Sequence, residues 1–284
     1  MNYLLLLFIT VSVAFQHIVK KAYNVKHQDG VWTFSAASIV PALIFFVFTS
    51  GGAFDFNFET FKYSAAFAIN YIITIMCSML AIKTGPLSLS SLISAYSLII
   101  PTFYGLIALG ESVNLWLICG IILLVASVFF INMESKGTQK KITLKWIIFI
   151  FLTFLCNGLC NVVQKIQQIN SGGLYKSEFM IMALAIAIVA LFVAAIATEK
   201  KAVPRNLKKG FGYYTVCGVV NGAANYLILV LANKMPASVM YPVISAGGVV
   251  LAALVAVFIY KEKLSSVQWL GMFLGTLAIV VLNI

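Results

Sequence analysis

Asn157, Asn161, Gln164 and Lys165 fall at i, i+4, i+7 and i+8, a spacing that lines up three amides and an ammonium on one face of one helix. The stretch that carries the three amides and ends just before Lys165, Leu144–Gln164, is otherwise almost wholly apolar. An amide both donates and accepts hydrogen bonds, so such a stripe can exchange partners with a polar solute, and a cation in it favours a carboxylate. Asn221 and Asn225 repeat the i, i+4 spacing with Tyr226 beside them, and Asn70 and Tyr71 stand close to Thr74 and Ser78. Gln16 and His17 precede Lys20, and Tyr96, Tyr241 and Ser245 are further polar groups inside apolar stretches. Polar groups in hydrocarbon are costly unless they face protein or water, which makes each a candidate for lining a substrate cavity. A second reading stays open for the amides: hydrogen bonds between helices, worth about 1 kcal/mol or less each. Lys20 and Lys165 lie a turn from a stretch boundary and can also snorkel to headgroups. His17 is either a hydrogen-bonded structural group or a proton carrier near neutral pH.

The charge pattern removes other chemistries. All eight acids, Asp29, Asp55, Glu59, Glu111, Glu134, Glu178, Glu199 and Glu262, fall between or at the ends of apolar stretches. A buried carboxylate relay or an anionic site for cationic drugs is therefore not expected. His17 and His27 with Asp29 are too thin a set for metal or nucleophilic catalysis, so no catalytic residue is assigned. Cys156 and Cys160 share a helical face but have no His or carboxylate near them, and all five cysteines lie in apolar stretches as packing residues. No metal, cofactor or disulfide is implied, and no phosphate-binding glycine loop is present to use ATP. The chain is basic, with a pI near 9.4. Its charges are nonetheless too sparse for a groove that tracks phosphates, and nucleic acid is not expected as a partner.

Ten apolar stretches position these residues: Asn2–Val19, Val31–Ser50, Tyr63–Ile82, Pro86–Leu109, Val113–Asn132, Leu144–Gln164, Phe179–Thr198, Gly210–Asn233, Pro236–Ile259 and Ser265–Asn283. Each is close to the roughly 20 residues that cross about 30 Å of hydrocarbon as a helix, where backbone polar groups must be satisfied within the segment. With 62% hydrophobic and 10% charged residues, a soluble helical protein would have no polar face to show water. The expectation is an all-α integral membrane protein with ten transmembrane helices and no soluble domain. Pro86 and Pro236 open stretches where a missing N–H costs nothing. Met1–Phe15 lacks a basic lead and a small-residue cleavage site, and reads as a retained span. The gaps after the odd-numbered stretches, together with Lys145 at the start of the sixth, hold 15 of the 19 Lys and Arg, against 4 on the other side. By the positive-inside rule the richer side is cytoplasmic, and both termini face outward across the plasma or inner membrane. Lys208 and Lys209, directly before a stretch, can hold anionic lipid headgroups.

The chain also repeats itself. At an offset of 151, Leu80-Ala81-Ile82-Lys83 falls on Leu231-Ala232-Asn233-Lys234, Glu111 on Glu262, Gly120 on Gly271 and Asn132 on Asn283. Residues 1–132 and 144–284 are thus two five-helix repeats joined by a cytoplasmic linker, 133–143. Five is odd, so the repeats are inverted. Inverted repeats recur in secondary transporters, with substrate held near the midplane where the copies meet. The gap holding Asp55, Glu59 and Lys62 corresponds to the one holding Lys200, Lys201, Arg205, Lys208 and Lys209. That divergence points to one fixed orientation and a monomer complete without an inverted partner. Pro101 and Pro242 lie inside the fourth and ninth stretches, where each removes a helix hydrogen bond. With Gly247 and Gly248 they are hinge or gating candidates, although packing alone also accounts for prolines in membrane helices. Glu111 and Glu262 read as structural, bonding the first N–H groups of the helix that follows each.

Each half closes on an acidic turn and a glycine-bearing helix: Pro101-Thr102-Phe103-Tyr104-Gly105 through Gly110-Glu111 to Gly120, and Ser245-Ala246-Gly247-Gly248 through Tyr260-Lys261-Glu262-Lys263-Leu264-Ser265 to Trp269-Leu270-Gly271. In this the chain resembles, over its full length, the EamA-type transporters of the drug/metabolite transporter superfamily. Its last third is also similar to the four-helix small multidrug resistance proteins. The resemblance implies a basket in which helices one to four and six to nine surround a cavity while five and ten brace the outside. The glutamate that the small multidrug proteins carry in their first helix is missing here. The leading expectation is a secondary transporter of a small polar metabolite, such as an amino acid or a related neutral, zwitterionic or anionic compound, working by alternating access. Two alternatives are a flippase of the same fold for lipids or lipid-linked substrates, and an integral-membrane enzyme acting on lipid-linked substrates.

Overall fold

A computed structural model describes residues 2–27, 30–84, 93–94, 96–132, 143–258 and 265–282. The described residues are helical, with no strand among them, and ten α-helices have their bounds there. They are α1 (Asn2–Lys26), α2 (Val31–Thr49), α3 (Phe58–Thr84), α4 (Ile99–Ile107), α5 (Leu115–Asn132), α6 (Leu144–Asn170), α7 (Lys176–Glu199), α8 (Val203–Ala232), α9 (Ala237–Phe258) and α10 (Ser266–Val281). Five stretches among the described residues are long and apolar enough to cross a membrane: Asn2–Lys20, Val31–Thr49, Phe58–Ala81, Leu144–Asn170 and Lys176–Ala232. The last contains both α7 and α8. Large apolar side chains point away from the protein, Ile107 at 81% and Phe48 at 79% exposure among them. Such a surface needs hydrocarbon around it, and this is a membrane protein.

Helix bounds differ from the sequence expectation at several places: α1 runs on to Lys26 rather than Val19 and α3 starts at Phe58 rather than Tyr63, and three further differences follow. α6 runs on past Gln164 to Asn170, because no breaker occurs before Ser171-Gly172-Gly173. α8 starts at Val203 rather than Gly210, with Pro204 in its first turn, where a proline loses no helix bond. Most of the gap expected as a loop is therefore helix. The fourth stretch is interrupted: a 3₁₀ turn, Tyr96–Leu98, leads into α4, which places Pro101 in the first turn of a short helix rather than deep inside a long one. Pro86, the 133–142 part of the linker, and Glu262 lie outside the described residues.

The chain forms two compact units. One holds residues 1–14, 73–162 and 234–284; the other holds 15–72 and 163–233. Each draws on both halves of the sequence, and α1, α3 and α6 run from one unit into the other. In the first unit α5 packs along α10, and α9 packs on α4, α5 and α10. Gly120 meets Leu282, while Ser127 Oγ donates to the carbonyl of Gly271 at 2.7 Å, so α5 and α10 run antiparallel. Leu124, Ala246 and Ala278 form part of the core between them. α6 approaches closely at Gly158, where a Cβ would stand 2.6 Å from Ile100 Cβ and 2.7 Å from the Ser97 carbonyl oxygen.

In the second unit α2 packs on both α7 and α8. Glu199 at the end of α7 bonds the first turn of α2, and Thr49 at the end of α2 bonds Ser177 at the start of α7, with oxygens 3.0 Å apart. This pair too is antiparallel. Tyr23, Phe34 and Cys217 pack as a small core, with Tyr23 and Phe34 stacked at 4.5 Å. Gly30 sits at φ 85, and a Cβ there would meet Asn206 and the Tyr23 hydroxyl at 2.8 Å, so the α1–α2 turn admits no larger residue.

Candidate functional site

Four buried or half-buried amides in the second unit form one directed relay. Gln164 of α6 donates from Nε2 to Asn225 Oδ1 at 3.0 Å, and Asn225 of α8 donates to Asn221 Oδ1 at 3.1 Å. Asn221 in turn donates to Gln16 Oε1 of α1 at 2.9 Å. The Asn225 amide also bonds the Asn221 carbonyl at 2.9 Å, as the i, i+4 spacing on one helix allows. Gln16 and Gln164 are 6% and 1% exposed, so these amides have left water and depend on one another. Lys165, the next residue, is 5% exposed and engaged within the protein. Three helices thus bring uncharged donors and acceptors together, with Lys165 the residue next to Gln164 on α6. Such a set can bind a polar, zwitterionic or anionic solute by exchanging its internal bonds for bonds to the solute.

The other half of the α6 stripe serves the first unit. Asn157 donates to Ser97 Oγ at 2.6 Å, Asn161 bonds back to the Asn157 carbonyl at 2.9 Å, and Tyr241 donates its hydroxyl to the Asn161 carbonyl at 2.9 Å. Tyr96 donates to the Val125 carbonyl of α5 at 2.8 Å. Asn70 bonds the Ala66 carbonyl of its own helix at 2.8 Å, and Tyr71 stacks on Phe67. Tyr226 rests its ring against Phe45 and Phe46, each 6.3 Å away. Ser245 and Pro242 are buried in α9 and Pro101 in α4. Gly247 lets α9 close on Thr10 of α1, and Gly248 faces Val13 at ordinary contact distance. The side chain of His17, on α1, is outside the described set.

Sequence reasoning ended the sixth stretch too early and so passed over Gln167 and Gln168, which are 1% and 0% exposed. Gln167 and Gln168 both reach the Leu174 carbonyl at 3.4 Å, tying the end of α6 to the turn before α7. Among the described residues, the Oε1 of Gln168 and the Oγ1 of Thr74 are buried without a hydrogen-bond partner. The missed signal was the continuation of unbroken helix-forming sequence to Asn170.

The acidic turn works differently from the expectation. Glu111 does not bond the helix that follows it. Its carboxylate accepts from the backbone N–H groups of Ala237 at 2.7 Å and Ser238 at 2.8 Å, at the start of α9. The following helix, α5, is capped by Asn114, which accepts from the Leu117 N–H at 2.7 Å. A local cap was already supplied, which leaves the glutamate free to satisfy a distant helix start. Gly105 makes room for it, since a Cβ there would overlap Glu111 Oε2. A cleft of about 160 Å³ lined by Glu111, Asn114, Trp116, Ser238 and Leu282 opens at this point, and none of the four relay amides lines it. Glu199 does the same for α2: it accepts from the Trp32 N–H at 2.7 Å, from both Thr33 donors, and from Asn206 Nδ2 at 3.1 Å.

Buried amides converge from three helices of the second unit of this membrane protein, and polar groups at such places are candidates for a substrate path. Residues 144–284 match the EamA-like transporter family, and across that carboxy-terminal half the chain is an EamA-type member of the drug/metabolite transporter superfamily. One solved crystal structure, 10% identical, aligns with 99% of this chain and 95% of its own at a TM-score of 0.80. At that identity the likeness is one of fold. No curated protein matches the chain.

Proposed function

We propose that this protein is a secondary transporter that carries a small polar metabolite, an amino acid or a related neutral, zwitterionic or anionic compound, by alternating access. The observation that carries the reading is the relay Gln164–Asn225–Asn221–Gln16, buried in an apolar chain whose carboxy-terminal half belongs to a transporter family. Its first three members come from the second sequence half and Gln16 from the first, as expected if both halves build the binding site. Two inverted five-helix repeats, 1–132 and 144–284, are supported by the antiparallel packing of α2 with α7 and of α5 with α10, each pair holding the same ordinal place in its half. The relay amides and Lys165, all in the second unit, bind substrate, and Pro101, Pro242, Gly247 and Gly248 of the first unit lie in elements that move. Both termini face outward from the plasma or inner membrane, and the working unit is the monomer.

The test is uptake by proteoliposomes containing the purified chain, offered a panel of labelled amino acids and organic anions without ATP. Saturable uptake of one or more, competed by unlabelled compound, is the expected result. No flux across a broad metabolite panel, with the protein shown to be folded and inserted, overturns the reading.

A further inference from the structure

We propose that the amino-terminal turns of α8, together with the end of α1, form a binding face for anionic lipid headgroups. Exposed positions along α8 change in kind at one point. Before it stand Arg205, Lys208 and Lys209; after it stand Phe211 at 65%, Val216 at 43% and Val219 at 44% exposure. The change marks where the helix passes from the headgroup layer into hydrocarbon, which sets the three cations level with lipid phosphates.

The face is built rather than merely basic. Arg205, Lys208 and Lys209 stand at i, i+3 and i+4, with exposed Lys201 one turn earlier, so they share one side of the helix. Val203, Asn206 and Gly210 on the other side are buried, and the helix therefore cannot roll the cations away. The one acid of this segment, Glu199, is committed to the Trp32 and Thr33 N–H groups and to Asn206, on the buried side. No other acid occurs from Lys200 to Val219. Lys26 at the end of α1 is also exposed, and its Nζ lies 5.9 Å from the ring centre of Tyr213 in α8, which adds a further cation beside the first three. The occupant is a phosphate-bearing lipid because the hydrocarbon that surrounds Phe211 holds its own headgroups at that level. This inference is independent of the transport reading.

The experiment reconstitutes the full chain in phosphatidylcholine nanodiscs with and without phosphatidylglycerol and measures both the Tm and the lipid retained in native mass spectrometry. The expected result is a higher Tm and selective retention of phosphatidylglycerol, both weakened by salt. In the triple variant R205Q/K208Q/K209Q the preference for phosphatidylglycerol falls at least about tenfold, given the attraction of each cation to an anionic surface. K234Q, which removes an exposed lysine at the α8–α9 turn, keeps it. The charge-retaining R205K/K208R/K209R also keeps it, and single K208Q and K209Q each lose a part should the triple variant not fold. Inorganic phosphate added to phosphatidylcholine discs leaves the Tm unchanged; a rise as large as the lipid gives would assign the face to a soluble anion and overturn the proposal. Equal behaviour in the two lipids, or full preference retained by the triple glutamine variant, overturns it as well.

Discussion

Asn225 stands in the middle of the relay, accepting from Gln164 and donating to Asn221. In a bilayer such amide bonds contribute about 0.6 kcal/mol each on average, since the separated helices find other partners. Asn225→Leu is therefore expected to change the Tm little while lowering proteoliposome uptake at least tenfold, and unchanged uptake would assign the relay to packing. Glu111 is the opposite case. Its two bonds to the start of α9 place a full charge on a helix amino terminus, so Glu111→Ala should cost about 1–2 kcal/mol of stability. Glu111→Gln retains an acceptor and should recover part of that loss, read by thermal unfolding in detergent. The glutamate's type and turn position were legible from the chain; the helix it serves was not, because 126 residues separate Glu111 from Ala237.

At the scale of elements, the close approach of α6 to α4 at Gly158 decides how near Asn157 comes to Ser97. A side chain there has no room, so Gly158→Leu is expected to destabilise by about 1–3 kcal/mol through overpacking. Uptake should fall with it, because the whole α6 stripe is displaced. Thermal unfolding and transport on the same preparation check this; a variant as stable as the parent would show that α6 does not pack at Gly158 as described. Helix existence and helical faces were readable, since apolar length and the i, i+4 spacing of Asn157 with Asn161 and of Asn221 with Asn225 are local properties. The 3₁₀ turn at Tyr96–Leu98 and the early start of α8 were not. An apolar stretch reads alike whether its helix is continuous or broken, and a basic segment reads as loop until a neighbouring helix buries its Asn206 and Val203.

At the scale of the whole molecule, the proposed orientation rests on the distribution of cations and is open to direct measurement. In a background without native cysteines, Lys209→Cys and Lys234→Cys should react with a membrane-impermeant maleimide from opposite sides, position 209 from the cytoplasm and position 234 from outside. Reaction of both from one side would remove the crossing by α8 and, with it, the inverted relation of the two halves.

The chain alone determined that this protein lives in a bilayer, how many apolar stretches it has and where they lie, which polar residues stand inside them, and the family resemblance. Hydropathy, periodicity and charge asymmetry are properties of neighbouring residues, and water or lipid reads them before any tertiary contact forms. Tertiary structure alone decided which amides meet. Gln164 could have paired with any of several buried polar groups, and only the packing of α1, α6 and α8 selected Asn225, Asn221 and Gln16. It likewise decided that Glu111 and Glu199 cap helices far from them in sequence. A hydrogen bond needs its partner within about 3 Å, and that distance is set by how helices pack, not by their order along the chain.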